Sequence, residues 1–167
     1  TQDTDKQDTD TQGTKETAVA PSWEFTAADL EGNEVTQDIL KEKKLTMVNY
    51  WATFCGPCLR EMPELGELNE EYADKGFQIV GVITDAYRDQ EGDHNIDVAQ
   101  EVVDSTKASY VHLPLTLELL GGPVGSVQAV PTTIFVDENG NQVGDIQVGS
   151  KSKEDWAKLI DAYLELV

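Results

Sequence analysis

A seven-residue, mainly apolar and β-rich run, Leu45 to Trp51 (LTMVNYW), leads almost directly into a helix start that carries both cysteines of the chain, Cys55 and Cys58. A short continuous apolar run is how a strand buried on both faces reads. A buried strand feeding a helix is the start of a βα unit, so a sheet with crossover connections is expected and a helical bundle is not. Pro57 suits the first turn of the helix, which should run to about Tyr72. Its apolar face is Cys58, Met62, Leu65, Leu68 and Tyr72, three or four residues apart.

The rest of the chain continues the alternation without an internal repeat. Trp23 to Thr26 and Glu34 to Thr36 flank Gly32-Asn33 and predict an opening hairpin. Phe77 to Thr84 reads as a second buried strand, followed by a polar loop, DAYRDQEGDHN. A helix from about Ile96 to Ser109, capped by Asn95, should bury Ala99, Val102, Val103 and Thr106. The stretch LPLTLELLGGPVGSVQAV reads as loop with one short helical turn. Thr132 to Asp137 and Gln142 to Val148 flank Asn139-Gly140, a strong hairpin signal. The last helix opens at Ser152 and Asp155 and should bury Trp156, Leu159, Ile160, Tyr163 and Leu164. Behind the hairpin the expected order is β-α-β-α-β-β-α, an α/β fold.

With 167 residues the chain has room for one ordinary domain. Its hydrophobic share of 39% is diluted at the start, where TQDTDKQDTDTQGTKETAVA holds five acids (Asp3, Asp5, Asp8, Asp10, Glu16) and no aromatic residue. Residues 1–20 are therefore expected to be a flexible polar tether, and residues 21–167 the folded domain. Without an initiating Met or an apolar signal core, the chain reads as processed or truncated. Asp and Glu number 32 against 12 Lys and Arg, a net charge of -20 that repels nucleic acid and anionic membrane surfaces. Solubility or a salty milieu is the simplest reading of such acidity, a specific basic partner the alternative. No stretch approaches the roughly 18 consecutive apolar residues that a membrane helix needs.

Two thiols separated by two residues can close a small disulfide ring, and a helix N-terminus favours the thiolate of the first. Cys55, ahead of the first turn, is accessible in this reading and attacks; Cys58, on the apolar face, is shielded and resolves. The Cys55 pKa should fall below the free value of about 8.5. A structural zinc would want four ligands, and only His94 and His112 remain as soft candidates. A purely structural disulfide gains little closure entropy across so short a loop. No metal is expected, and no cofactor beyond the redox-active pair itself.

WATFCGPCLREMPEL followed by AVPTTIFVDENGNQVG resembles the thioredoxin superfamily, and within it the TlpA/ResA-like extracytoplasmic thiol-disulfide oxidoreductases. The resemblance runs from about Trp23 to the C-terminus. It implies a three-layer α/β/α sandwich with a central mixed sheet and an added N-terminal β-hairpin. Phe54 stands where the family commonly has Trp, and Gly56-Pro57 is the thioredoxin pair where ResA-like members often carry Glu-Pro. Pro131 matches the proline held cis beside the dithiol, which would turn the backbone of Val130 toward the sulfurs for an extended substrate to pair with. Phe54, Gly56, Pro57 and Val130 are the implied substrate-binding residues. Asn49 occupies the position where thioredoxins bury an Asp that moves protons for the second cysteine. Glu61, one turn after Cys58, matches a functional acid of ResA-like proteins, with Glu64 next. The alternative is that both join Glu67, Glu70 and Glu71 on a solvated face. Pro63 matches a helix proline of structural role.

The activity this implies is that of a protein-disulfide reductase acting on exported proteins, in apocytochrome maturation or methionine sulfoxide reductase recycling. Its electron donor would be a membrane protein of the CcdA/DsbD type or a thioredoxin. Gly56-Pro57 contributes no charge to stabilise the Cys55 thiolate, and the net charge opposes it, so a reducing potential is expected. The alternative is a partner-binding module in which the dithiol is only a redox latch. The resemblance and the polar tether favour the extracytoplasmic side, a lipoprotein anchor through the missing N-terminus being one form of it. A monomer is expected.

Overall fold

The computed structural model describes residues 22–125 and 127–167; the tether expected over residues 1–20 lies outside them. The elements run β1 (Thr26–Ala28), β2 (Glu34–Thr36), a 3-10 helix (Gln37–Glu42), β3 (Leu45–Trp51), α1 (Gly56–Tyr72), β4 (Phe77–Ile83), β5 (Tyr87–Asp89), β6 (Gly92–His94), α2 (Ile96–Thr106), β7 (Val111–Pro114), α3 (Leu117–Leu120), β8 (Thr132–Asp137), β9 (Gln142–Val148) and α4 (Lys153–Leu164). The main sheet has the order β7-β4-β3-β8-β9. Strands β3, β4 and β7 are parallel, while β8 and β9 each run antiparallel to the preceding neighbour. Every residue of β3 is buried, its polar Thr46 and Asn49 included, as befits a mainly apolar central strand.

Alternate residues of β3 face opposite layers. Leu45, Met47 and Trp51 pack with α1, α2 and α4 through Leu65, Ala99 and Trp156. Helices α1 and α2 share one face because the β3-α1-β4 and β4-α2-β7 crossovers step the same way across the sheet, and right-handed connections then place both on the same side. Helix α4, after β9, packs into the same cluster through Trp156 and Ile160. Val48 and Tyr50 face the other layer, built from Trp23, Phe25, Leu40 of the 3-10 helix and Leu119 of α3. That layer is thin, and hydrogen bonds hold it: Trp23 Nε1 donates to Glu118 O at 2.9 Å and Tyr50 Oη to Leu119 O at 2.7 Å.

Several expectations are corrected. The hairpin pairs Thr26–Ala28 with Glu34–Thr36, because Trp23 and Phe25 are spent as buried anchors and Asp29 makes the turn by accepting from Glu31 N and Asn33 N. The polar loop after β4 contains a second hairpin, β5-β6. Strand β7, a fifth strand at the sheet edge, goes beyond the expected order; it takes in Val111 and His112 together with the first two residues of the stretch read as loop, which does contain its short helical turn, α3. Helix α2 ends at Thr106, where Lys107 turns left-handed (φ 57°), and Val102 is only half-buried. On α4 only Trp156 and Ile160 are fully buried; Leu159, Tyr163 and Leu164 pack at the margin.

Candidate redox site

The site lies at the carboxyl end of β3, where open α/β sheets place their chemistry. Cys55 is the N-cap of α1: its sulfur accepts from Cys58 N at 3.2 Å. The two cysteines are joined as a disulfide, with Cα atoms 5.3 Å apart. Cys58 is fully buried and Cys55 keeps 6% of its surface, so both sulfurs are better covered than the sequence suggests, though in the expected order. Phe54 is 78% exposed beside them, and Gly56 and Pro57 are exposed as well. Trp51 is fully buried at the end of β3.

The Val130-Pro131 peptide is cis. Pro131 is buried and Val130 half-buried, and Gly149 N donates to Pro131 O at 2.9 Å, tying this loop to the end of β9. A cavity of about 270 Å³ opens beside Val130, lined by Thr84, Leu115, Leu120 and Val127.

Glu61 is only 3% exposed, whereas Glu64, Glu67, Glu70 and Glu71 stay at the surface or its edge. The solvated-face reading therefore fails for Glu61 and holds for Glu64. Glu61 Oε2 accepts from Lys151 N and from Trp156 Nε1, each at 3.1 Å, and Glu61 Oε1 lies 3.4 Å from Asn49 Nδ2. Burial pushes its pKa up, only partly offset by these three donors. Asn49 also donates to Thr133 Oγ1 at 3.0 Å, while its Oδ1 is buried without a hydrogen-bond partner. This buried carboxyl, its pKa raised, lies one helical turn past the buried Cys58 on the same helix.

Sequence reasoning missed three contributors. His112, on β7, accepts from Trp51 Nε1 through Nδ1 (3.1 Å) and faces Ala108 O through Nε2 (2.7 Å), so both ring nitrogens are occupied. Burial lowers its pKa to about 4. It fits only because Gly81 stands beside it, where a Cβ would come 2.3 Å from Nδ1. Arg60 folds back along α1, its Nη1 3.1 Å from where a Cβ of Gly56 would lie, and brings a cation to a helix start that the sequence reading left uncharged. Asp85, after β4, accepts from both hydrogen-bond donors of Thr53. An i, i+4 relation announces Arg60; Asp85 and His112 reach the site only through tertiary pairing.

A disulfide-closing cysteine pair at the start of the helix that follows β3, with a cis-proline immediately before the neighbouring strand β8 of a mixed sheet, defines a thioredoxin-fold thiol-disulfide oxidoreductase. The chain belongs to the Redoxin family, whose profile matches residues 13–161. It is 30% identical over 150 residues to the thioredoxin-like protein YneN of Bacillus subtilis, covering 89% of this chain and 81% of that one. The thiol-disulfide oxidoreductase ResA of Bacillus cereus is 29% identical over 145 residues, covering 86% and 74%. A thiol:disulfide interchange protein of the thioredoxin family from Chlorobium tepidum superposes with a TM-score of 0.71 at 25% identity, covering 87% and 96%.

Proposed function

We propose that this oxidoreductase works as a reductase, delivering two electrons from the Cys55–Cys58 dithiol to disulfides of exported proteins on the extracytoplasmic side. The carrying observation is the asymmetry of the pair: Cys55 at the helix N-cap with residual exposure beside Phe54, Cys58 sealed, and an uncharged Gly56-Pro57 between them. In the reduced protein the Cys55 thiolate attacks one sulfur of the substrate disulfide, forming a mixed disulfide and releasing one substrate thiolate. Cys58 then gives its proton to Glu61 and attacks Cys55 Sγ. The Cys55–Cys58 bond forms, the mixed disulfide breaks, and the second substrate thiolate leaves and takes up the proton that Glu61 returns through solvent. Phe54, Gly56, Pro57 and Val130 border the approach, the backbone of Val130 offering an edge to an extended segment.

Arg60 is exposed, so its charge is screened and only moderates the reducing bias. Resemblance to the ResA-like branch supports the extracytoplasmic setting and recharging by a membrane dithiol donor of the CcdA/DsbD type or a thioredoxin. Equilibration against glutathione buffers tests the direction: the protein should remain mostly disulfide in an oxidising, endoplasmic-reticulum-like buffer, and a mostly dithiol form there would make it an oxidase or isomerase. Cys55→Ala should abolish catalysed reduction of a model protein disulfide. Trapping by Cys58→Ser, which leaves the mixed disulfide unresolved, should recover exported proteins with paired cysteines.

A further inference from the structure

The segment carrying Cys55 is held from outside the redox ring. Trp51 O accepts from Thr84 N at 2.8 Å and from the Thr84 hydroxyl at 3.1 Å. Two residues on, Thr53 N donates to Asp85 Oδ1 at 3.0 Å and the Thr53 hydroxyl to Asp85 Oδ2 at 2.5 Å, so one carboxylate grips both hydrogen-bond donors of the residue. Asn95 closes the arrangement: its Nδ2 lies 3.0 Å from Thr53 Oγ1, 3.1 Å from Asp85 Oδ2 and 3.3 Å from Asp85 O.

Asn95 occupies the N-cap position of α2, yet its side chain caps nothing and its backbone is left-handed at φ 62°. Asparagine is among the few residues besides glycine that tolerate that region, and an N-cap side chain is ordinarily a helix's main terminal support. Both are given up to turn the amide toward Thr53 and Asp85. A residue in a sparsely populated conformation that also forgoes its local bond is held by its surroundings, an arrangement that clusters at working sites.

We propose that Asp85 and Asn95 are positioning residues that clamp Thr53, fix the Ala52–Cys55 turn and thereby set the poise of the Cys55–Cys58 couple. Reduction breaks the S–S bond, adds two electrons and frees the Cys55 sulfur. With Thr53 clamped, the turn closed by Cys55 N and Ala52 O (3.1 Å) keeps its disulfide-ready shape, which favours reclosure. The Asp85 charge acts in the same direction, since an anion near residue 53 disfavours a second anion on Cys55. Clamp and charge together make the dithiol a better electron donor.

The test measures the couple itself, by equilibration with glutathione buffers and by the pH profile of Cys55 alkylation. Asp85→Asn keeps one acceptor oxygen and removes the charge. It should shift the equilibrium about tenfold toward the dithiol, roughly 30 mV for a two-electron couple, and move the alkylation profile to lower pH. Asn95→Gly keeps the left-handed backbone and removes the amide, and should shift the equilibrium about threefold the same way. Glu154→Gln, an exposed acid on α4, should shift neither. If Asp85→Asn fails to fold by near-UV circular dichroism, Asn95→Gly decides alone. An unchanged midpoint in folded Asn95→Gly, or an equal shift in Glu154→Gln, would overturn the clamp. No protein substrate enters these measurements, so failure here is distinct from failure of the proposed reductase activity.

Discussion

Glu61 carries two opposed effects: burial drives its pKa up, and donation from Lys151 N, Trp156 Nε1 and Asn49 Nδ2 pulls it partly back. Glu61→Gln retains an acceptor for Lys151 and Trp156 but cannot hold the proton. It should slow dithiol resolution by about tenfold or more and flatten its pH profile, with the melting temperature little changed. A profile identical to the parent's would return Glu61 to a structural part. Arg60→Gln should move the Cys55 alkylation profile to higher pH, opposite in sign to Asp85→Asn, because it removes a cation from the thiolate's end of the helix. His112 titrates at about 4 in the fold against about 6.5 when unfolded, so the unfolded chain binds more protons between those values. Its contribution to stability is fully present above pH 6.5 and is lost as pH falls toward 4, an effect on the order of 3 kcal/mol. Denaturant titrations of His112→Phe between pH 7 and 4 should show a shallower slope than the parent. In sequence Glu61 and Glu64 are alike, two acids in a run of them. What separates them is which side of α1 meets the loop before α4, where Lys151 N takes Glu61 and Lys153 N takes Glu64 at the rim.

Elements with one dominant signal were legible: β3, β8 and β9 fall where apolar runs and Asn139-Gly140 put them, and α1 follows its apolar spacing. Elements whose signal is split were not. Strand β7 is four residues with a histidine inside and a proline at its end, and its Val111–Pro114 ladder with Val80–Ile83 exists only because Gly81 makes room for His112. The β5-β6 hairpin is polar throughout and is anchored by Arg88, whose Nη2 donates to Asp29 O at 2.8 Å and to Leu30 O at 3.2 Å, contacts that local pattern cannot announce. Gly66 marks where α1 crosses the end of α2: a Cβ there would sit 2.8 Å from the Lys107 carbonyl oxygen. Gly66→Ala should therefore destabilise the protein by about 1–3 kcal/mol although alanine is the better helix former, because a backbone oxygen must move. Urea unfolding of the variant checks this, and a stabilised protein would mean that the two helices slide apart freely.

Across the whole molecule, a charge of -20 sets a field against any added anion, including the Cys55 thiolate. Raising salt from about 10 mM to about 1 M, which shortens the screening length from roughly 30 Å to 3 Å, should move the glutathione equilibrium toward the dithiol. A salt-independent equilibrium would leave the poise to local contacts alone. The same acidity gathers around Lys153, whose Nζ bridges Glu67 at 2.8 Å and Glu71 at 2.7 Å and so stitches the start of α4 to α1. That stitching joins distant stretches of chain: the groups that grip Glu61 Oε2 come 90 and 95 residues after it. During synthesis both cysteines and Glu61 therefore emerge long before the groups that grip this carboxylate. In a nascent chain Glu61 is still an ordinary wet acid, and the pocket beside the dithiol takes its final form last, when the closing helix docks.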